Sequence, residues 1–202
     1  MIKDLILVGG GGHCKSCIDV IEQEGMYRIA GIVDVLEKLD EKVLGYKIIA
    51  TDEDIYSLTK EYDNFLVTIG QIESPERRQK IFKNLKALKA QMPIIISPYA
   101  YVSRHASIGE GTIVMHQALL NAGAIVGRNC IINSKSLIEH EAVIEDHCHI
   151  STGTIINGGS LVKEGSFIGS NSVIRENITI ERNSIIGLHS KIYKSNKKSR
   201  TI

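Results

Sequence analysis

The sequence contains no tryptophan, and phenylalanine and proline each occur only three times in 202 residues. It also lacks an excess of charge of one sign, because 24 Lys and Arg residues stand against 23 Asp and Glu residues. The balanced charge argues against a protein that binds nucleic acid through a basic surface. No apolar run approaches the roughly 20 residues that a membrane-spanning helix needs, and Leu5 to Val8 is too short for a signal peptide. These absences predict a cytoplasmic protein.

Cysteine is scarce as well, with four residues: Cys14, Cys17, Cys130 and Cys148. In a chain without an export signal we expect these to be reduced thiols within the core, not disulfides. Cys14 and Cys17 have the spacing of a redox motif, but the pattern places them in the first turn of a helix. Core thiols are therefore the favoured interpretation.

In residues 1–95 short apolar runs alternate with helix-like segments. Strands are predicted at Leu5 to Val8, Ile29 to Val33, Lys47 to Ala50, Phe65 to Ile69 and Ile94 to Ile96, and helices at His13 to Glu24, about 52–60 and about 74–89. Strands that alternate with helices indicate a parallel sheet with right-handed crossovers. We therefore expect a small Rossmann-like α/β domain over residues 1–95.

A different period governs residues 96–202. From Val102 to Ile192 every sixth residue is aliphatic, and four residues after each stands a mostly small side chain, with Ile178 as the bulky exception. A helix cannot keep a six-residue repeat on one face, and a simple strand has a period of two. The repeat therefore predicts a solenoid of short strands that meet at corners.

This repeat resembles the hexapeptide of the left-handed parallel β-helix acyltransferases. The resemblance implies that three hexapeptides form one triangular coil, with the aliphatic residues inside. Residues three repeats apart then stack along the solenoid axis, which places His140 between Ala122 and Gly158. By the same arithmetic Glu141 lies between Gly123 and Gly159. We expect an open groove at this point, because the flanking residues have little or no side chain.

The side chains of this groove suit acyl transfer. Moving an acetyl group from a thioester to an amine or hydroxyl needs a base near neutral pH, which His140 can supply, and a carboxylate to hold its ring. Glu141 or Glu139 is the expected partner of the ring. Flanking glycines let a cofactor approach backbone N–H groups, which can stabilise an oxyanion.

A second candidate site is the glycine run from Gly9 to Gly12, which follows a strand and precedes a helix. Such a turn can cradle a phosphate on its backbone N–H groups, and Asp34 ends the second strand where a ribose or base contact is expected. The pattern alone also fits a dinucleotide site or a merely tight turn. A metal site at His147, Cys148 and His149 is not favoured, because Cys148 falls at an inward, small position of the repeat.

Taken together, these features resemble the sugar acetyltransferases of the PglD/NeuD type. The resemblance implies a homotrimer that uses acetyl-CoA to N-acetylate a UDP-linked 4-amino-4,6-dideoxy sugar in bacterial surface glycan biosynthesis, or to O-acetylate sialic acid. It implies His140 as the base, with Glu141 and Glu139 as further catalytic residues. The implied substrate-binding residues are Gly9, Gly10, Gly11, Gly12, His13, Lys15, Asp34 and Asn133, and the implied cofactor-binding residues are His149, Gly158 and Gly159.

Two further alternatives stand beside this prediction. The basic residues at the C-terminus, which are Lys191, Lys194, Lys197, Lys198 and Arg200, hold the CoA phosphates in one interpretation and form a solvated tail in the other. A protein of another class, a nucleotide-binding regulatory module with a degenerate solenoid, is disfavoured by the intact triplet Glu139 to Glu141 beside glycines.

Overall fold

A computed structural model describes residues 2–195, which form an α/β unit followed by a solenoid. The α/β unit has a five-stranded sheet of order β3-β4-β2-β1-β5. Its strands are β1 (Lys3–Val8), β2 (Tyr27–Val33), β3 (Lys42–Val43), β4 (Tyr46–Ala50) and β5 (Asn64–Val67). The strands are parallel except β3, which pairs antiparallel with β4. The predicted parallel sheet is confirmed.

Three helices accompany the sheet: α1 (Gly12–Glu24), α2 (Ile55–Leu58) and α3 (Glu76–Ala87). Helix α1 ends at Gly25, whose left-handed φ of 70° closes the helix where the sequence predicts. Helix α2 is shorter than predicted, since a 3₁₀ turn with Thr51 as its cap occupies the first part of the segment. Of the helices within residues 2–195, none is long and apolar enough to cross a membrane.

The solenoid consists of two-residue strands that recur every six residues after β6 (Ile95–Ile96). They are β7 (Tyr101–Val102), β8 (Ser107–Ile108), β9 (Ile113–Val114), β10 (Leu119–Leu120), β11 (Ile125–Val126), β12 (Ile131–Ile132), β13 (Leu137–Ile138), β14 (Val143–Ile144), β15 (His149–Ile150), β16 (Ile155–Ile156), β17 (Leu161–Val162), β18 (Phe167–Ile168), β19 (Val173–Ile174), β20 (Thr179–Ile180), β21 (Ile185–Ile186) and β22 (Lys191–Ile192).

These strands form three parallel sheets, which we name by their position in the coil. Face 1 contains β6, β9, β12, β15, β18 and β21; face 2 contains β7, β10, β13, β16, β19 and β22; face 3 contains β8, β11, β14, β17 and β20. Leu119 pairs with Tyr101 on one side and with Leu137 on the other, so each coil takes three hexapeptides. The predicted fold, a small Rossmann-like domain followed by a left-handed parallel β-helix, is confirmed.

The sequence analysis places the strand Ile94 to Ile96 in the α/β sheet, and this expectation is wrong. This strand pairs with β9 on face 1 and opens the solenoid instead of closing the α/β sheet. The reason lies in its two sides, because Ile95 packs among residues of α1 while Ile96 packs against the interior of the solenoid. The boundary between the predicted domains 1–95 and 96–202 stays a prediction.

The interior of the solenoid follows the hexapeptide pattern. From Val114 to Ile192 the repeat aliphatic residues form one buried cluster, together with small residues such as Ala118 and Cys148. Buried hydroxyls at the small positions donate to corner carbonyls of the next coil, as Ser160 does to Arg175 O at 2.7 Å. The four cysteines are buried and free, as predicted.

Candidate active site

A cavity of about 590 Å³ lies at the carboxyl ends of β1, β2 and β5. The chain leaves β1 toward one side of the sheet and leaves β5 toward the other. Open α/β sheets bind ligands in the crevice where two neighbouring connections diverge in this way. We name this cavity the glycine pocket. It is lined by Gly9, Gly10, Gly11, Gly12, His13, Ser16, Asp34, Lys38, Thr68, Ile69, Gly70, Gln71, Ile72, Arg77, Asn133 and His149.

The four predicted glycines have different structural roles. Gly9 has a φ of 112° and lies so close to Ile69 that a side chain has no room there. A Cβ at Gly10 would meet the Asp34 carboxylate at 2.8 Å. Gly11 and Gly12, in contrast, face open space. The first two glycines therefore build the turn, and the last two leave the first turn of α1 accessible to a ligand.

Asp34 is at the predicted place, but its carboxylate is engaged within the chain. It accepts hydrogen bonds from Gly10 N (3.0 Å), Val35 N (2.8 Å) and Lys38 Nζ (3.0 Å). Burial raises the pKa of Asp34, and these hydrogen bonds outweigh burial, so that its pKa is lowered overall. Asp34 thus fixes the glycine turn and holds Lys38 beside the pocket.

His13, Asn133 and His149 come together at the inner wall of the glycine pocket. His149 donates from Nδ1 to Gln71 O at 2.6 Å, which leaves Nε2 as an acceptor 3.2 Å from Asn133 Nδ2. The His13 ring lies 6.4 Å from the His149 ring. Burial lowers the pKa of His13 to about 3 and that of His149 to about 4, so both rings are neutral at physiological pH.

The positions of two predicted site residues, His149 and Lys15, bear on the roles assigned to them. His149 lies in β15 on face 1, beside the glycine pocket, whereas the predicted cofactor-binding glycines Gly158 and Gly159 lie at another corner of the coil. Lys15 is exposed on α1 and does not line the pocket, because the helical period brings Ser16 to that side instead.

Lys38 and Arg77 are pocket residues that the sequence analysis missed. Lys38 lies four residues after Asp34, a spacing that brings two side chains to one face of a helical turn and was a usable signal. Arg77 reaches the pocket from α3, and nothing local in the sequence indicates that position. Both residues bring a cation to the pocket, where Lys38 is paired with Asp34 at 3.0 Å and Arg77 Nη2 lies 3.8 Å from Asp52 Oδ2.

The second predicted site, the His140 groove, lies at the corner between faces 2 and 3. His140 Nδ1 lies 3.4 Å from Glu141 Oε2, and the two side chains are 62% and 80% exposed. A Cβ placed on Gly158 would meet His140 Cε1 and Nε2 at 2.6 Å, so the ring covers this glycine as the stacking arithmetic predicts. The predicted neighbour Gly123 likewise lies against Glu141, with 3.4 Å from its ideal Cβ to Glu141 Cγ.

The two glutamates beside His140 differ in their contacts. Glu139 Oε2 accepts hydrogen bonds from Asn121 Nδ2 (2.8 Å) and from His140 N (3.1 Å), so it holds the backbone of the groove. Glu141 reaches the imidazole itself. Of the two predicted partners of the ring, Glu141 has the geometry to orient it. Asn121 was missed, although it stands one coil before Glu139 in the same stacking register.

Within the chain the two sites remain separate. His140 does not line the glycine pocket, and face 2 lies between its corner and the corner that carries Asn133. Of the basic C-terminal residues, Lys191 and Lys194 are exposed, whereas Lys197, Lys198 and Arg200 lie outside the described residues. Among residues 2–195, no group of three His, Cys, Asp or Glu side chains is placed to hold a metal.

Comparisons with known proteins agree with this architecture. A family model described as the PglD N-terminal domain matches residues 4–85. A variant of GDP-perosamine N-acetyltransferase from Caulobacter crescentus, solved with CoA and GDP-perosamine, is 26% identical with a TM-score of 0.92, over 100% of this chain and 93% of that chain. The acetyltransferase domain of PglB from Neisseria gonorrhoeae is 28% identical with a TM-score of 0.90, over 98% of this chain and 95% of that chain.

The PglB domain is also known in complex with acetyl coenzyme A. A search of curated protein sequences gave no significant match. The family model and the structural matches confirm the predicted resemblance to hexapeptide-repeat sugar acetyltransferases.

Proposed function

We propose that this chain, a hexapeptide-repeat sugar acetyltransferase similar to the PglD/NeuD type, N-acetylates a nucleotide-linked 4-amino dideoxy sugar with acetyl-CoA as the acetyl donor. The observation that carries the proposal is the combination of the glycine pocket, which suits a diphosphate, with the exposed His140–Glu141 pair. The similar enzyme from Caulobacter crescentus binds CoA and GDP-perosamine, and the PglB domain binds acetyl coenzyme A.

The identity of the nucleotide belongs to the proposal. The resemblance to PglD/NeuD-type enzymes favours a UDP-linked sugar, and the match to an enzyme solved with GDP-perosamine favours a GDP-linked one. The product of either reaction suits the synthesis of a bacterial surface glycan. O-acetylation of sialic acid is the alternative reaction at the same base.

The residues of the groove account for the proton transfers. Glu141 holds the Nδ1–H of His140, so that Nε2 is free to remove a proton from the sugar amine as the amine attacks the thioester carbonyl. A C–N bond forms, the C–S bond breaks, and the proton held on Nε2 passes to the departing thiolate. Gly158 and Gly159 are the proposed contacts of the thioester arm, because Gly158 lies directly against the imidazole ring and neither residue carries a side chain of its own.

The glycine pocket accounts for binding of the nucleotide. The open first turn of α1 at Gly11 and Gly12 presents N–H groups to the diphosphate, and Lys38 and Arg77 add charge. Asn133 and the neutral ring of His13 line the solenoid side, where the sugar is expected, and His149 orients the Asn133 amide through its Nε2.

A homotrimer is part of the proposal, because one chain does not bring its pocket and its base together. The outward positions of face 2 form an apolar stripe of Tyr101, Leu119, Leu137, Ile155 and Val173. Such a stripe on an outer face is typical of a surface that binds another chain. We propose that a second copy packs on face 2 and places its His140 at the glycine pocket of the first.

The test is a thiol-release assay with acetyl-CoA and a panel of UDP-linked and GDP-linked 4-amino sugars and sialic acid, followed by mass spectrometry of the products. The proposal expects release of CoA only with an amino sugar, and a product that carries an N-acetyl group. The variant His140→Ala controls for spontaneous hydrolysis. Turnover of sialic acid alone would replace N-acetylation by O-acetylation, and no turnover with any amino sugar would overturn the proposal.

A further inference from the structure

Arg78 is a buried cation that the proposed reaction does not use. It is 1% exposed, and its four hydrogen bonds all go to oxygen atoms of neutral groups. Its Nε has no partner, and within residues 2–195 none of its hydrogen bonds goes to a carboxylate. Burial lowers the pKa of Arg78 to about 10, so the guanidinium remains charged at physiological pH. A buried charge without an oppositely charged partner lowers the stability of the folded protein. Its presence here therefore suggests a role beyond stability.

The four hydrogen bonds of Arg78 join the wall of the glycine pocket to the solenoid. Its Nη1 donates to Val67 O (3.1 Å) and to Ile69 O (2.5 Å), the carbonyls on either side of Thr68. Its Nη2 donates to the main-chain oxygen (3.0 Å) and side-chain oxygen (2.8 Å) of Asn129, at a corner of the solenoid. One planar guanidinium therefore sets the distance between the two units beside the pocket.

The segment that Arg78 holds, residues 67–71, continues to the partner of His149. Thr68 donates its hydroxyl to Gly9 O at 2.6 Å, which connects the segment to the glycine run. Three residues later Gln71 accepts the Nδ1–H of His149 through its carbonyl, and its side chain donates to Gly165 O at 3.1 Å. The position of this segment thus determines which nitrogen of His149 carries the proton and where the ring points.

We propose that Arg78 is a positioning residue of the glycine pocket: it clamps residues 67–71 to Asn129, so that Gln71 O keeps His149 in the Nδ1–H tautomer with Nε2 facing Asn133. Lysine is not an equivalent, because only the planar fork of arginine reaches two carbonyls and Asn129 at once. The consequence for binding of the nucleotide sugar rests on the proposed function, whereas the consequence for His149 does not.

The experiment compares Arg78→Lys and Arg78→Met with Lys80→Met, a control that removes an exposed cation from the same helix. In the Arg78 variants we expect the KM for the nucleotide sugar to rise by about tenfold and the KM for acetyl-CoA to change less than about twofold. Long-range ¹⁵N NMR of the imidazoles reads His149 directly. It should show the Nδ1–H tautomer in the wild type and in Lys80→Met, and a mixture of tautomers in the Arg78 variants.

The NMR result separates this proposal from the proposed function, since it needs no turnover. If the Arg78 variants do not fold, Asn129→Ala removes one arm of the clamp and retains the arginine, and the same tautomer change is expected. Arg78 variants that melt at a lower temperature but keep the wild-type His149 spectrum would show that Arg78 only stabilises the contact between the α/β unit and the solenoid. The proposal would then be wrong.

Discussion

His140 occupies a corner where the surrounding residues leave its ring free. Gly158 lies under the ring, Glu141 reaches Nδ1, and Glu139 is held away from the ring by Asn121. These contacts orient the imidazole without burying it, which is the arrangement that a general base in an open groove requires.

Replacing His140 by alanine should lower kcat by about 10²- to 10⁴-fold while leaving the fold intact, because the side chain is exposed and supports no packing. Steady-state kinetics with saturating substrates, together with the melting temperature, measure both effects. His105→Ala is the matched control, since His105 is an exposed histidine on the same edge of the solenoid. A His140→Ala enzyme that retains near wild-type kcat would show that another group is the base.

The backbone of Glu141 is left-handed, with a φ of 59°, which is an unfavourable conformation for a residue other than glycine. Glycine occupies the same corner position in the coils below and above, at Gly123 and Gly159. The strain of a non-glycine residue in this conformation is about 1 kcal/mol. Lys135 and His147 have the same conformation at this position of other repeats, so the conformation belongs to the corner turn and not to Glu141 alone.

The variant Glu141→Gly should therefore stabilise the protein by up to about 1 kcal/mol and at the same time lower kcat by about tenfold or more. Urea unfolding and steady-state kinetics give the two values. Glu141→Gln separates the effects, because it keeps the strained backbone and loses the charge. If both variants turn over like the wild type, Glu141 does not orient the base.

The first turn of α1 is the element that supports binding of a nucleotide. A side chain at Gly11 meets no atom of the protein within 4 Å, and the φ of −78° at this position suits any residue. A side chain added there therefore enters the space assigned to the diphosphate and spares the fold.

We expect Gly11→Val to raise the KM for the nucleotide sugar by about tenfold or more and to leave the KM for acetyl-CoA nearly unchanged. Gly11→Ala is the graded control and should have a smaller effect. Both constants come from initial rates with the other substrate saturating. An increase in the KM for acetyl-CoA alone would assign the glycine pocket to the coenzyme.

The elements that could be predicted are those whose signal is local or periodic. The six-residue repeat predicts the solenoid and the stacking of His140 on Gly158, because every coil repeats the same register. The glycine run predicts α1 in the same way. In contrast, the hydrogen bond from His149 to Gln71 joins residues 78 apart in sequence, and no period connects them. The docking of the α/β unit on face 1, and with it the place of His149, required the structure.

The glycine pocket and the His140 groove are separated within one chain. The glycine pocket takes Asn133 and His149 from one side of face 2, while His140 lies at its other edge. The apolar stripe on face 2 offers a surface on which a neighbouring subunit can close this gap. We therefore expect that in each site one chain binds the nucleotide sugar and a neighbouring chain supplies the base.

Mixing the variants His140→Ala and Gly11→Val distinguishes sites that are shared between chains from sites within one chain. His140→Ala retains a complete glycine pocket, and Gly11→Val retains a complete base. Co-expression of the two chains with different tags, followed by purification on both tags, isolates trimers that contain both. Acetyl transfer is then measured at a low concentration of nucleotide sugar, where His140→Ala is nearly inactive and Gly11→Val retains about a tenth of the wild-type rate or less.

We expect the purified mixed trimers to recover about a third of the wild-type rate, because in any trimer that contains both chains one of the three sites has an intact pocket from one chain and an intact base from its neighbour. Mixed trimers that are no faster than the two parent variants would show that the pocket and the base act within a single chain.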